Sequence, residues 1–296
     1  MDYLVSESEE RKRVRPFTLK QPLQRETSVV FASPHSGDAF PAAFLERTVL
    51  DAKTIRSSAD SFVDRIFDAA TEFGAPLLAA AAPRAFVDLN RASDEFDSAL
   101  IEGVRRMTQN PRVVSGLGVI PRVVANGRAI YRGKITIAEA NKRIEDVWMP
   151  YHSRLQHLLD ENRLLFGEAI LIDCHSMPHD ALSSHGARGQ TPDIVLGDRF
   201  GAAAAPRLMD QVQVAFERAG FCVARNTPFA GAYSVQTYGR PSRNQHAIQI
   251  EIDRSLYMNE AKITPRADFD QFCHHMRGVI ADIAAIGHAH VRMAAE

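Results

Sequence analysis

Short, densely apolar runs that stop abruptly at polar residues recur along this chain, and they constrain its fold more than any other feature. SVVFAS runs into PHSG, RAFV into DLNR, EAILI into DCHS, and HAIQI into EIDR. A run of this kind between turn signals reads as a buried strand. Strands are therefore expected at Ser28–Ala32 and over APLLAAAA, RAFVDLN, EAILIDCHS, DIVLGD, GFCVARN and HAIQIEID. Helical patterns lie between them. DSFVDRIFDAATEF places Phe62, Ile66 and Ala69–Ala70 at helical spacing and predicts a helix over Asp60–Phe73, with Asp60 in its first turn. TIAEANKRIEDVWMPYHSRLQHLLDENRLLFG predicts a long helix capped by Thr136 and kinked or broken at Pro150. Two more helices are expected over 202–219 and 267–289. Strands alternating with helices predict a layered α/β domain with a largely parallel or mixed sheet. In such sheets chemistry gathers beyond the carboxyl ends of the strands. Four strand ends carrying histidine, carboxylate or arginine together argue for an enzyme.

The chain of 296 residues, 45% hydrophobic and 24% charged, has ample length for a full core. It has no internal repeat and no linker, so a single domain over 26–296 is expected. The mixed-charge SEERKRVRP lies in an N-terminal tail over 1–25, expected to be partly disordered or peripheral. A net charge of −1 gives no electrostatic footprint for nucleic acid or an anionic membrane. The three cysteines, Cys174, Cys222 and Cys273, form no CxxC pair, which argues against a disulfide framework or a cysteine-based zinc knuckle. No apolar stretch reaches about 18 residues, and the start lacks the order of a signal peptide. A reducing, cytoplasmic location is the expectation. Neither GxGxxG nor GxxxxGK[ST] occurs, so the glycines of FAGAYS and DIVLGDRFG read as tight turns.

His35 and His175 are the most informative pair among the eleven histidines. A catalytic zinc takes three protein ligands, imidazole or carboxylate, and keeps a position open. Two histidines at separate strand ends with one carboxylate nearby would meet that need; two unrelated loop histidines are the competing reading. The third ligand would be Asp60 or Asp64, spaced i, i+4 on one helical face, with the other free to orient a histidine. Asp60 alone could equally be a helix N-terminal carboxylate. Asp173, two residues before His175, would share its side of the strand and support it. Cys174 would face the other way as a buried thiol rather than a nucleophile. Asn90-Arg91 in DLNR pairs a carboxamide with a planar guanidinium suited to a carboxylate; a salt bridge to Asp88 or Asp94 is the alternative. Arg84, Arg122, Arg132 and Arg240 are further candidates, which favours an anionic small molecule. Glu251 alternates with Ile250 and Ile252 and would serve as general base and then acid; an ion pair with Arg254 is its structural alternative. His179 is read as part of the loop.

Taken together, SPHSGDAFP, DSFVDRIF, RAFVDLNR, GLGVIPRVV, IDCHSMP, DIVLGDRFG, PFAGAYSVQTYGRP and HAIQIEIDRSLYM resemble the N-formylglutamate amidohydrolase family over about residues 28 to 260. The resemblance implies a single three-layer α/β/α domain of the phosphorylase/hydrolase-like type, akin to zinc carboxypeptidases and aspartoacylase. It implies one Zn2+ on His35, Asp60 and His175, with Glu251 as general base. Asn90 and Arg91 would grip a substrate carboxylate, with Arg132 and Arg240 as alternates. The implied reaction cleaves N-formyl-L-glutamate to formate and glutamate, a step of histidine breakdown. A zinc amidase for another N-acyl amino acid or a peptidoglycan fragment, or a non-catalytic anion-binding relative, would use the same pocket. Family members often carry DTDWHVD where this chain has Ser58 and Phe62, and a Thr where it has Asp38.

Overall fold

The computed structural model describes residues 14–105, 110–182 and 191–288. Seven strands form one sheet: β1 (Phe17–Lys20), β2 (Val29–Ser33), β3 (Leu77–Ala80), β4 (Ala169–Met177), β5 (Ile194–Gly197), β6 (Val223–Arg225) and β7 (Gln245–Asp253). Their order is β1-β3-β2-β4-β7-β5-β6. β3, β2, β4 and β7 run parallel, whereas β1 pairs antiparallel with β3 and β5 antiparallel with β7, so the sheet is mixed. The helices are α1 (Ala42–Arg47), α2 (Val63–Ile66), α3 (Pro111–Val114), α4 (Ile137–Arg143), α5 (Met149–Phe166), α6 (Pro206–Arg218), α7 (Tyr233–Tyr238) and α8 (Phe269–His288).

Alternation along each central strand divides the core into two layers. Val30, Ala32, Leu171 and Ala247 pack with α5 on one face. Val29, Phe31, Ile170, Ile172, Cys174, Ile248, Ile250 and Ile252 pack with α6 and α8 on the other. Strands buried on both faces read as continuous apolar runs, which explains the pattern in the sequence. The result is the three-layer α/β/α domain expected.

Two local expectations are corrected and two are made more specific. Asp60–Phe73 is not one helix. Phe62 adopts a left-handed φ of 70°, only Val63–Ile66 is α-helical, and a 3-10 segment follows over Asp68–Phe73. Asp60 therefore shares no helical face with Asp64. RAFVDLN is not a strand: Phe86 and Val87 donate to the Pro83 carbonyl, and Asp88 N donates to Val119 O, so a turn uses the polar groups a sheet would need. Its apolar alternation is satisfied by the core, where the Arg143 guanidinium sits 4.3 Å from the Phe86 ring centre. Of the kink or break expected at Pro150, the break does not occur: the helical run continues through a local deformation. Thr136 caps it by accepting from Glu139 N, and a π-helical turn over Ile144–Trp148 precedes the proline, widening the helix where the missing N–H would fall. Part of the expected tail is the edge strand β1, while residues 1–13 lie outside the described residues.

Candidate active site

The ends of β2, β4 and β7 bring the polar residues to one cleft of about 560 Å³. In β4 and β7 the register pairs His175 directly with Glu251. Successive residues of a strand point to opposite faces. His175 and Glu251 therefore share the cleft side, and Cys174 is turned into the opposite core layer. There its thiol is wholly buried and held well above the usual range by burial and by Asp173. That environment rules against a thiolate nucleophile.

His35 follows the end of β2 and is tied to Asp60 through the backbone, since Asp60 N donates to His35 O at 3.0 Å. Phe62 takes a left-handed turn, its ring packs against Phe269, 5.9 Å between centres, and it is not among the residues that line the cleft.

His35, Asp60 and His175 offer three ligand atoms that all lie within 4.8 Å of one another, and all three residues are buried. Asp60 Oδ2 lies 2.9 Å from His175 Nδ1 and 3.3 Å from His35 Nδ1. His35 Nε2 is 2.8 Å from Asp88 Oδ1, whose Oδ2 accepts from Arg84 Nε. With Nε2–H donated to Asp88, the lone pair of His35 Nδ1 is aimed at a carboxylate oxygen. Nδ1 is buried and makes no hydrogen bond. A lone pair facing a carboxylate in the interior is unfavourable unless a cation lies between them. The donor set, two imidazoles and a carboxylate with an open side on the cleft, suits a catalytic divalent metal.

The surroundings complete this geometry. Arg254 Nη2 donates to Asp60 Oδ1 at 2.9 Å and so leaves Oδ2 toward the histidines. Arg254 Nε also donates to Ser176 Oγ. Around His175 Nε2 stand Asp173 Oδ2 and Asn90 Nδ2, each 3.1 Å away. That nitrogen can donate to the carboxylate or accept from the amide; a cation on Nδ1 selects donation to Asp173. Burial opposes charge on all of these groups, and their partners decide the outcome. Burial would raise Asp60, but the hydrogen bond with His175 and the nearby His35 ring outweigh it and hold it well below the usual carboxylate range. Burial would lower His175, but Asp173 and Asp60 hold it well above 6.5.

Glu251 is the exception. Burial pushes it up to about 7 against the pull of His175. Its Oε1 accepts from Gln249 Nε2 at 2.7 Å, and Gln249 Oε1 accepts from Ala232 N. A carboxylate poised near neutrality and held at one oxygen can take and return a proton with the other.

The expected anion-binding residues divide. Arg91 and Asn90 line the cleft. Arg91 Nε and Nη1 donate to the carbonyls of Leu117 and Asn90, and Asn90 Oδ1 accepts from Ser234 N. Arg132 and Arg240 do not line it: both are exposed, and Arg240 Nε donates to Thr237 O. Arg122 is spent on Asp97 at 2.7 Å. Arg84 lines the cleft, as do Arg112 and Arg254, whose place there the sequence reading missed. Asp64 lies apart from the metal-ligand group, its carboxyl raised by burial and the nearby Asp38. His179 is half-exposed on Asp253 at 2.7 Å and lies outside the cleft lining. Gln249, also missed, could have been found from its place two residues before Glu251 in the strand.

Relatives share this whole frame. A family model for N-formylglutamate amidohydrolase matches residues 27–258. N-formylglutamate deformylase of Pseudomonas putida is 31% identical over 247 residues, 82% of this chain and 86% of its own length. The enzyme of that name from Pseudomonas aeruginosa is 32% identical over 244 residues, 81% of this chain and 86% of its own. The crystal structure of N-formylglutamate amidohydrolase from Ralstonia eutropha superposes with a TM-score of 0.87 at 32% identity, covering 93% of this chain and 99% of that one. With the sheet, the strand-end site and these matches in agreement, this chain belongs to the N-formylglutamate amidohydrolase family.

Proposed function

We propose that this protein is a zinc-dependent amidohydrolase that cleaves N-formyl-L-glutamate to formate and L-glutamate, and so serves histidine breakdown. The observation that carries the reading is the buried His35–Asp60–His175 group, with its unpartnered His35 Nδ1, opposite Glu251 in a chain of this family. His35 Nδ1, Asp60 Oδ2 and His175 Nδ1 would hold the zinc. When bound, the ion supplies a Lewis acid for the formyl oxygen and lowers the pKa of water toward about 7.

Every other step belongs to side chains of the chain. Arg91 and Asn90 hold the α-carboxylate of the substrate and set the formyl carbon over Glu251. Glu251 takes a proton from the attacking water as a carbon–oxygen bond forms. The carbonyl π electrons move onto oxygen, where the Arg84 guanidinium, on the cleft wall, offsets the developing charge. Glu251 then returns the proton to the amide nitrogen as the carbon–nitrogen bond breaks, releasing the amine of glutamate. Burial raises the proton affinity of Glu251 toward that of activated water while leaving it below that of the departing amine, which suits both transfers.

Formate release measured on N-formyl-L-glutamate, N-acetyl-L-glutamate and N-formyl-L-aspartate tests this reading, with enzyme stripped by chelator and reloaded with zinc. Zinc-restored turnover with preference for the formyl-glutamate pair is expected. No turnover after zinc loading, or preference for a different acyl group, contradicts it.

A further inference from the structure

Four arginines line the cleft, and they are not equivalent. Arg84 is paired with Asp88 at 3.0 Å and Arg254 with Asp60 at 2.9 Å. Arg91 and Arg112 pair with no carboxylate among the described residues. Arg91 is buried and donates only to backbone carbonyls. Arg112 is exposed, and its guanidinium makes no hydrogen bond among the described residues.

The two cations without a contacting carboxylate are built on one frame. Leu117 O accepts from Arg91 Nε at 2.9 Å, while Leu117 N donates to Arg112 O at 2.8 Å. Asn110 caps α3 by accepting from Arg112 N, and its Nδ2 donates to Glu95 Oε2. Glu95 Oε1 accepts in turn from Ala92 N, beside Arg91. Gly118 permits this close packing, because a Cβ there would stand 2.4 Å from Glu95 O. Their charges act on each other: burial lowers the Arg91 guanidinium, Asp88 opposes that from a distance, and Arg84 and Arg112 add to the lowering.

Two like charges near each other, with no described carboxylate in direct contact with either, cost free energy that a ligand's carboxylates would relieve. Arg91 is buried in the cleft wall beside Asn90, whose Nδ2 lies 3.1 Å from His175 Nε2, while Arg112 lines the same cleft from an exposed position. A ligand satisfying both carries two carboxylates, one near the scissile amide and one a side chain's length farther out. We propose that Arg112 is a specificity-determining residue that grips the distal carboxylate of the substrate and selects a dicarboxylic N-acyl amino acid over its neutral counterpart. The identity of that substrate rests on the function proposed above; the selection for a second carboxylate does not.

The test compares kcat/KM on N-formyl-L-glutamate and N-formyl-L-glutamine for zinc-loaded wild type and Arg112→Gln. Wild type is expected to favour the glutamate compound. Arg112→Gln is expected to raise KM for it by roughly three- to tenfold at similar kcat, in keeping with a partly exposed ion pair. The preference over the glutamine compound falls accordingly, with an unchanged melting temperature. An equal loss on both substrates, or an unaltered preference, overturns the inference. If wild type hydrolyses neither compound, the functional reading fails and titration calorimetry decides about Arg112. N-acetyl-L-glutamate is expected to bind more tightly than N-acetyl-L-glutamine to wild type and not to Arg112→Gln; no such difference overturns the inference in that case too.

Discussion

Two buried histidine sites stand on either side of Asn90, and they are built to opposite rules. His152, in α5, is complete as a neutral ring: Nε2 donates to Leu89 O at 2.9 Å, and Nδ1 accepts from the Tyr238 hydroxyl at 2.8 Å. It faces no carboxylate among the described residues, and burial lowers it to about 4. The pair formed by His35 and His175 faces Asp60, Asp88 and Asp173, more negative charge than two imidazoles can answer, with one ring nitrogen left unpartnered. Burial alone therefore does not separate a core histidine from a ligand. What separates them is whether the neutral ring already has a partner at each nitrogen.

Mutation should part the two sites sharply. His175→Ala is expected to lose the bound metal and at least about a thousandfold in kcat, as expected when a metal-dependent hydrolase loses a ligand. Zinc content by elemental analysis beside formate release checks this. Glu251→Gln should keep one metal per chain and lose about a hundred- to ten-thousandfold in kcat, because only the proton carrier is gone. Loss of metal in that variant would mean that Glu251 is a ligand. Arg254→Met frees Asp60 Oδ1 and removes its fixed orientation. Metal affinity measured by chelator competition should fall about ten- to a hundredfold, and an unchanged affinity would limit Arg254 to packing.

His152→Phe, by contrast, should leave metal content intact and cost about 1–3 kcal/mol in denaturant unfolding, mainly from the Tyr238 hydroxyl and Leu89 carbonyl left without partners. The pH dependence of stability sharpens the contrast. His152 is lowered when folded, so its contribution is present above the unfolded value near 6.5 and lost as pH falls toward about 4. The full span is worth about 3 kcal/mol. Wild type should therefore weaken more than His152→Phe between pH 6.5 and 4. Parallel curves for the two proteins would place the titration elsewhere.

Much of this was legible in the sequence. The strand ends of β2, β4 and β7 showed as apolar runs closing on His35, His175 and Glu251, because strands buried on both faces need continuous apolar side chains. Alternation also placed Asp173 with His175 and sent Cys174 the other way. The misses have a common cause. Apolar spacing around Phe62 suited a helix, but a left-handed turn holds Asp60 against the His35 carbonyl. RAFVDLN alternated like a strand, yet its apolar side chains fill the core from a turn, and Asp88 became the partner of His35 instead of Arg91. Periodicity reports which side chains are buried and is silent on the backbone that buries them. Arg112 was passed over and Arg254 was matched only with Glu251 for another reason: an arginine's role depends on which carboxylate it meets in space. Arg254, three residues after Glu251, pairs with Asp60 across 194 positions of sequence.

A crystal structure of the zinc-loaded protein, with anomalous data collected at the zinc edge, tests the central claim most directly. The account predicts one anomalous peak per chain, within about 2.0–2.2 Å of Nδ1 of His35, Nδ1 of His175 and a carboxylate oxygen of Asp60. His35 Nε2 should stay on Asp88 and His175 Nε2 on Asp173. A peak on other side chains, or zinc-dependent activity without a peak between these three residues, would contradict it.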